Sequence, residues 1–401
     1  PRSIEIITSL PTLTGRTEID ADSQPLFVAG TPLIKIQGTS SAFDTWFFQA
    51  AGTEDLVFKD FVVQRSTDIL GQYVGYAFNI DNCDNVVIEN VQMRYLRFGV
   101  LAHNGSNDLS ITGCEFEHTS DRYDRQAVRL DGVGEQNIPG GVFMDNNIFG
   151  ERIYRALEIK NMSGLKITND KSIAGTHIEF NPNLGTGTGV DWSLVFIDCI
   201  DFEVDGIDFS TTNQATNTLG IYMSGEGGHT VRNCKFNFKR QGIIATDMYD
   251  VTIDNCEFLT VGNHHDNYAV YLNNITEKNL DKGVKFSNCV FDAGVSYAIH
   301  LRSLEDGIVV KNDLATTTHI SLTSASNLQT LTTNGTVLNV YDCDQMVVDG
   351  IDVSRPTIRD GIGIAFDGCD DLTVENVIAK NRPPIVEVEE LYRGRLIFEE
   401  Q

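Results

Sequence analysis

The chain has 401 residues, 41% of them hydrophobic, and a formal net charge of −26. That length can bury a large core, while the charge weighs against nucleic acid, because a phosphate backbone is repelled over most of such a surface. No run of eighteen apolar residues is present, so no helical membrane span is expected, and the opening PRSIEIITSL lacks a basic start followed by an apolar stretch, which reads as a mature or excised piece of something longer.

In chain order, TEIDA at 17 and LIKIQ at 33 are irregular first strands. A regular cadence of small-apolar-x-apolar-x segments then begins: AFNID (77), GVLAH (99), AVRLD (127), ALEIK (156), LVFID (194), GIYMS (220), GIIAT (242), AVYLN (269), AIHLR (298), VLNVY (337) and GIGIA (361). Successive starts differ by 22, 28, 29, 38, 26, 22, 27, 29, 39 and 24 residues. Each segment is followed by an Asn, Asp or Gly turn and a second strand-like run, such as NVVIENV, DLSITGC, DVTIDNC, QMVVDGI or DLTVENV. Alternation at period two predicts strands, and nothing between them has helical period over enough length.

Strand repeats of this length predict a solenoid. Asn-Cys-x-Phe occurs at Asn233–Phe236 and again at Asn255–Phe258. One lap returns the chain to the same face about 4.8 Å further on, so Cys256 is expected over Cys234 and Phe258 over Phe236, in a rod on the order of 60 Å long. The eight cysteines form no CxxC and read as small, reduced, buried residues in equivalent turns, with Cys234, Cys256 and Cys289 in one stack. Extra residues leave the laps as loops at 117–126, 149–155, 185–193, 211–218 and 260–268, on one side, as the walls of a groove. After Pro383 and Pro384 the tail breaks the cadence.

The GIxLxx…NxxVxIxNCxF cadence, over roughly residues 17 to 381, resembles the right-handed parallel β-helix, pectin-lyase-like superfamily. LPTLTGRTEIDADSQP further resembles a segment near the start of β-helix regions in large bacterial surface proteins. The resemblance implies an all-β, right-handed parallel β-helix over 1–382, with 383–401 a cap or a linker to a further module. It also implies an extracellular, cell-surface or virion-surface location, and polysaccharide lying on the sheet that the loops flank.

Alternation points the third and fifth positions of each segment outward. The third positions are Arg129, Glu158, Phe196, Tyr222, Ile244, Tyr271, His300 and Asn339; the fifth are Asp131, Lys160, Asp198, Ser224, Thr246, Asn273, Arg302 and Tyr341. Two constellations follow. Asp131, Glu158 and Asp198, beside Arg129, Lys160 and the loop residues Asp121, Arg122, Asp124, Arg125, Arg152 and Arg155, offer paired carboxyls. An inverting glycosidase needs two at about 6.5–9.5 Å, and diagonal neighbours on adjacent strands stand about 7–8 Å apart. The same residues also read as cross-strand ion pairs, Arg129 with Glu158 and Asp131 with Lys160.

Tyr271, His300 and Arg302, with His264, His265, Asp266 and Tyr268, suit a uronate lyase or epimerase, which must neutralise a carboxylate and move the C5 proton. They also read as a polar ladder whose aromatics stack sugars. Arg129, Phe196, Tyr222, His265, Tyr268 and Tyr341 are the expected carbohydrate contacts. No Gly-His-Gly motif of pectin-degrading glycosidases is present. No cofactor is called for with certainty; Ca2+ near Asp131 and Asp198 is the one opening. The readings that stand are a polysaccharide-cleaving or polysaccharide-binding β-helix and a non-catalytic adhesin or tailspike-like receptor binder, in a larger chain or a homotrimer.

Overall fold

The computed structural model describes residues 2–6, 10–22, 34–38, 46–65, 76–117, 126–150, 153–169, 176–180, 192–210, 219–238, 240–260, 268–291, 295, 297–305, 307–311, 317–322, 336–351, 363–378, 385–387 and 395–396. The chain divides into two compact units, Pro1–Ile197 with Thr211–Thr216 and Asp198–Ser210 with Asn217–Gln401. Each unit is a coil of three sheets whose strands pair in parallel with those of the next lap.

In the first unit, one sheet comprises Trp46–Ala51, Tyr76–Asp81, Phe98–His103, Gln126–Asp131, Arg155–Lys160 and Trp192–Ile197. In the second unit the equivalent sheet comprises Leu219–Ser224, Gln241–Tyr249, Tyr268–Thr276, Tyr297–Arg302, Thr336–Tyr341 and Ile364–Asp367. In the tail, Ile385–Glu387 pairs beside Ile364–Asp367 and Arg395–Leu396 beside Thr373–Glu375.

The cadence has a packing cause. Val128 and Leu130 point inward and are fully buried, whereas Arg129 and Asp131 on the other face are half-buried. The glycines that start three of the segments lie under a phenylalanine of another sheet: a Cβ on Gly99 would come within 2.6 Å of Phe116, one on Gly220 within 2.7 Å of Phe236 and one on Gly242 within 2.9 Å of Phe258. Those phenylalanines stack from lap to lap, Phe209 on Phe236 and Phe236 on Phe258 at 5.0 Å, and Phe258 on Phe291 at 5.3 Å. Each buried ring contributes about 1.5–3 kcal/mol by burial, and each stacked pair roughly 0.5–1.5 kcal/mol more.

The turns explain the Asn, Asp and Gly punctuation. Asn104, Asn161 and Asp198 each follow a strand of the large sheet, and Asp247 and Asn274 lie at the same place within longer ones, all with φ between 51° and 56°, a left-handed conformation these side chains tolerate. At the next corner Asn233 and Asn255 do the same; Asn255 Nδ2 donates to Asn233 Oδ1 at 2.7 Å, and Asn233 Nδ2 to Asp205 Oδ1 at 2.6 Å. Cys234, Cys256 and Cys289 point inward beside them, and like the other five cysteines they are buried and outside any disulfide.

Candidate functional site

The second unit builds an aromatic face on its large sheet. The register sets Tyr268 beside Tyr297, Tyr271 beside His300 and Asn273 beside Arg302, then His300 beside Asn339 and Arg302 beside Tyr341. Tyr268 stacks on Tyr297 with centroids 4.9 Å apart. The His300 ring meets Tyr271 at 4.9 Å, Tyr268 edge-on at 5.0 Å and Tyr341 face to face at 6.3 Å. Arg302 reaches over the Tyr341 ring at 5.6 Å. Tyr222 stands two strands away on the same outward row, with Ile244 between it and Tyr271.

His300 is 8% exposed. Burial, helped by the charge of Arg302, pulls its pKa down to about 4, so the ring is neutral at neutral pH. Its Nδ1 accepts from Asn339 Nδ2 at 3.0 Å, which leaves the proton on Nε2. In that tautomer the ring offers an N–H to a ligand rather than a lone pair to a proton.

The first unit builds an ionic face. Glu158 is buried and receives Gln126 Nε2 at 2.9 Å, Lys160 Nζ at 3.1 Å, Arg129 Nε at 3.5 Å and the Arg155 guanidinium. The expected Arg129–Glu158 pair is present; Lys160 pairs with Glu158 rather than Asp131. Asp131 takes Arg129 at 3.2 Å and Asn161 Nδ2 at 2.7 Å. Burial alone would raise the Asp131 pKa, but those hydrogen bonds and the charges of Arg129 and Lys160 outweigh it and hold the carboxyl below its ordinary value. Further along, Trp46, Tyr76 and Phe98 form an aromatic column with centroids 4.4 Å and 5.3 Å apart, and Arg97 donates to the Tyr76 hydroxyl at 2.9 Å.

Three expectations change. Phe196 points inward and is 0% exposed, because Glu158 pairs with Val195 and Ile159 with Phe196; it has no face to offer a sugar. Asp198, one residue past that strand, sits in the left-handed turn at φ 53° instead of on the outward row with Asp131 and Glu158. At 361 the outward positions are Ala365 and Asp367, which pair with Asn339 and Tyr341. His264, His265, Asp266, Asp121, Arg122, Asp124, Arg125 and Arg152 lie outside the described residues. Reading each segment from its small residue missed the position just before it, which holds Trp46, Tyr76, Phe98 and Tyr297; Arg155 and Tyr268, expected in the loops, stand at that same position as the first residues of their strands.

Among the described residues, the three carboxylates close enough to share a cation are Asp20, Asp22 and Asp60, within 4.8 Å of one another; neither Asp131 nor Asp198 belongs to the group. A hydrogen bond with Asp20, burial and the charges of Asp20 and Asp60 raise the Asp22 pKa. Among the described residues, no helix is long and apolar enough to cross a membrane.

Residues 191–337 match the family model described as right handed beta helix region. The fold is a right-handed parallel β-helix. No curated protein matches the chain. Similar solved structures include a tailspike protein mutant of E. coli bacteriophage HK620, 12% identical over 95% of this chain and 71% of that one, TM-score 0.39. The endo-xylogalacturonan hydrolase of Aspergillus tubingensis is 10% identical over 96% of this β-helix chain and 91% of its own, TM-score 0.24. The Streptococcus pneumoniae surface protein and adhesin PfbA has the same identity, coverage and TM-score.

Proposed function

We propose that this β-helix binds a surface glycan outside the cell or on a virion, and that the face made by Tyr268, Tyr271, Tyr297, His300, Arg302 and Tyr341 holds it. The observation that carries this reading is the cage of three tyrosine rings around a neutral histidine. Tyrosine rings present flat apolar area for the C–H faces of a sugar and hydroxyls for its oxygens. His300 Nε2, Asn273 and the half-exposed Arg302 supply directed donors around them.

With Nδ1 already accepting from Asn339, His300 is better arranged to hold a sugar oxygen than to abstract a proton, so binding is favoured over cleavage. The test is capture on an array of bacterial surface polysaccharides, with reducing ends followed in parallel. We expect saturable capture by the wild type without release of reducing ends, and loss of most capture in Tyr271→Ala/Tyr297→Ala at an unchanged melting temperature. Capture that is indifferent to that double variant would overturn the assignment of the face; cleavage abolished by His300→Ala would replace it with an enzyme.

A further inference from the structure

The lap lengths contain a second period. Strands of the large sheet start at Tyr76, Phe98, Gln126, Arg155 and Trp192, steps of 22, 28, 29 and 37, then at Leu219, Gln241, Tyr268, Tyr297 and Thr336, steps of 22, 27, 29 and 39. The letters recur with the lengths: CEFEHTSDRYDRQAVRLDGVGEQNIPGGVFMDNNIF from Cys114 faces CEFLTVGNHHDNYAVYLNNITEKNLDKGVKFSNCVF from Cys256, 142 residues on. Three-residue helical turns fall at the same place, Pro139–Gly141 and Asp281–Gly283, each with a left-handed centre, Gly140 at φ 72° and Lys282 at φ 60°. Thr-His-Ile follows in both at 176–178 and 318–320; His177 Nδ1 accepts from Lys166 N at 3.2 Å and His319 Nδ1 from Val309 N at 3.0 Å. Length, letters and hydrogen bonds together make this a tandem duplication of five laps.

The duplication aligns the two constellations residue for residue. Gln126 corresponds to Tyr268, Arg129 to Tyr271, Asp131 to Asn273, Arg155 to Tyr297, Glu158 to His300 and Lys160 to Arg302. Where one unit buries a neutral histidine among tyrosines, the other buries a carboxylate among three cations. Both central residues are at most 8% exposed.

We propose that each unit carries its own glycan site at this place, and that the site of the first unit takes an oligosaccharide bearing a negative group. This rests on the glycan reading of the second unit. Glu158 compensates only one of the three charges around it, and the side chains of Arg129, Arg155 and Lys160 keep 30%, 28% and 22% exposure. Asp131 offsets a second, and among the described residues of this cluster a surplus of one positive charge remains, in a chain of net charge −26. Fixed guanidinium forks of this kind suit a carboxylate. Two strands along the same outward column from Arg155, Phe98 begins the Trp46–Tyr76–Phe98 platform, on the order of 10 Å away by strand spacing, where neighbouring neutral rings of one ligand can lie.

The experiment uses an array on which each acidic glycan is printed beside its carboxyl-reduced, neutral form. Wild type should capture members of both sets. Arg129→Gln/Lys160→Met should lose the acidic set by about tenfold or more, the loss of one charge-assisted contact, and keep the neutral set; Tyr271→Ala/Tyr297→Ala should do the converse. Glu158→Gln, which removes the compensating charge and little volume, should strengthen acidic capture, and it decides the matter if the double variant does not fold. Acidic capture untouched by Arg129→Gln/Lys160→Met and by Glu158→Gln, or abolished together with neutral capture by the tyrosine variant, overturns the second site and leaves the first. Wild type that captures neither set removes the glycan reading itself.

Discussion

Asp108 and Asp250 perform the same task 142 residues apart. The Asp108 carboxylate accepts the backbone N–H groups of Gln136, Asn137 and Ile138 at 2.8–3.0 Å. The Asp250 carboxylate accepts those of Lys278, Asn279 and Leu280 at 2.6–3.1 Å. Each is 2% exposed and left-handed. A buried carboxylate thus holds the short insert, 136–138 or 278–280, that precedes each three-residue helical turn of the next lap.

Replacing either aspartate by asparagine turns one charged acceptor into a donor facing backbone N–H groups. The expected cost is about 2–3 kcal/mol for each variant, read by urea unfolding. The two costs should be alike, and near zero for either would show that the insert is held otherwise. Burial alone would raise the Asp108 pKa, but the N–H groups of Ile138, Gln136 and Asn137 hold it below the usual carboxylate range, so its share persists above the unfolded value and is lost only as pH falls through the folded one.

His300 and His229 should make the protein acid-sensitive at a higher pH than its carboxylates do. Burial sets both at about 4, against about 6.5 in an unfolded chain. The unfolded state therefore takes up protons first, and stability present above pH 6.5 declines as pH falls toward 4, by on the order of 3 kcal/mol for each histidine. Urea titrations at pH 7 and pH 4.5 measure the slope. It should be shallower in His300→Gln, and a slope unchanged in that variant would contradict a buried neutral ring.

All eight thiols should be silent in the folded protein. Burial pushes Cys114 and Cys343 up to about 12 and leaves no reagent path, while the thiolate is the reactive form. A disulfide-exchange reagent at pH 8 should register no thiol before denaturant and eight after it. A thiol titrating in the native state would place that residue outside the stacks.

Gly220→Ala and Gly242→Ala should each destabilise by about 1–3 kcal/mol, although alanine occupies the same position in neighbouring strands. A Cβ on Gly220 would lie 2.3 Å from the Gly242 carbonyl oxygen, and one on Gly242 2.6 Å from that of Ala269. Thermal melts of the two variants check this, with Ala269→Gly as the comparison.

The laps, the inward cysteines and the phenylalanine stack were legible because alternation and the Asn-Cys-x-Phe spacing agree in phase. Phase failed at Leu194–Ile197, where four apolar residues in a row fit either face. There the turn decides: Asp198 occupies the left-handed place that Asn161 and Gly225 hold in their strands, and counting back from it turns Phe196 inward. The same count from Gly368 corrects the strand at 364. The cage around His300 was legible only in part, since Tyr297 stands ahead of the small residue that marks each segment. The neutrality of His300 was not legible at all, because it follows from burial among rings of other laps, helped by the charge of Arg302.

A corner that repeats in every lap also fixes which changes of length the chain can absorb. Dropping Ile221 alone would turn the rest of its strand inside out, since side-chain direction has period two. Dropping the whole lap from Leu219 to Arg240 instead brings Asn255 to where Asn233 donates to Asp205, Cys256 to the place of Cys234, and Phe258 onto Phe209. Such a protein should be shorter yet still melt cooperatively. Changes of length by whole laps keep every register, while a single-residue slip inside a strand breaks it.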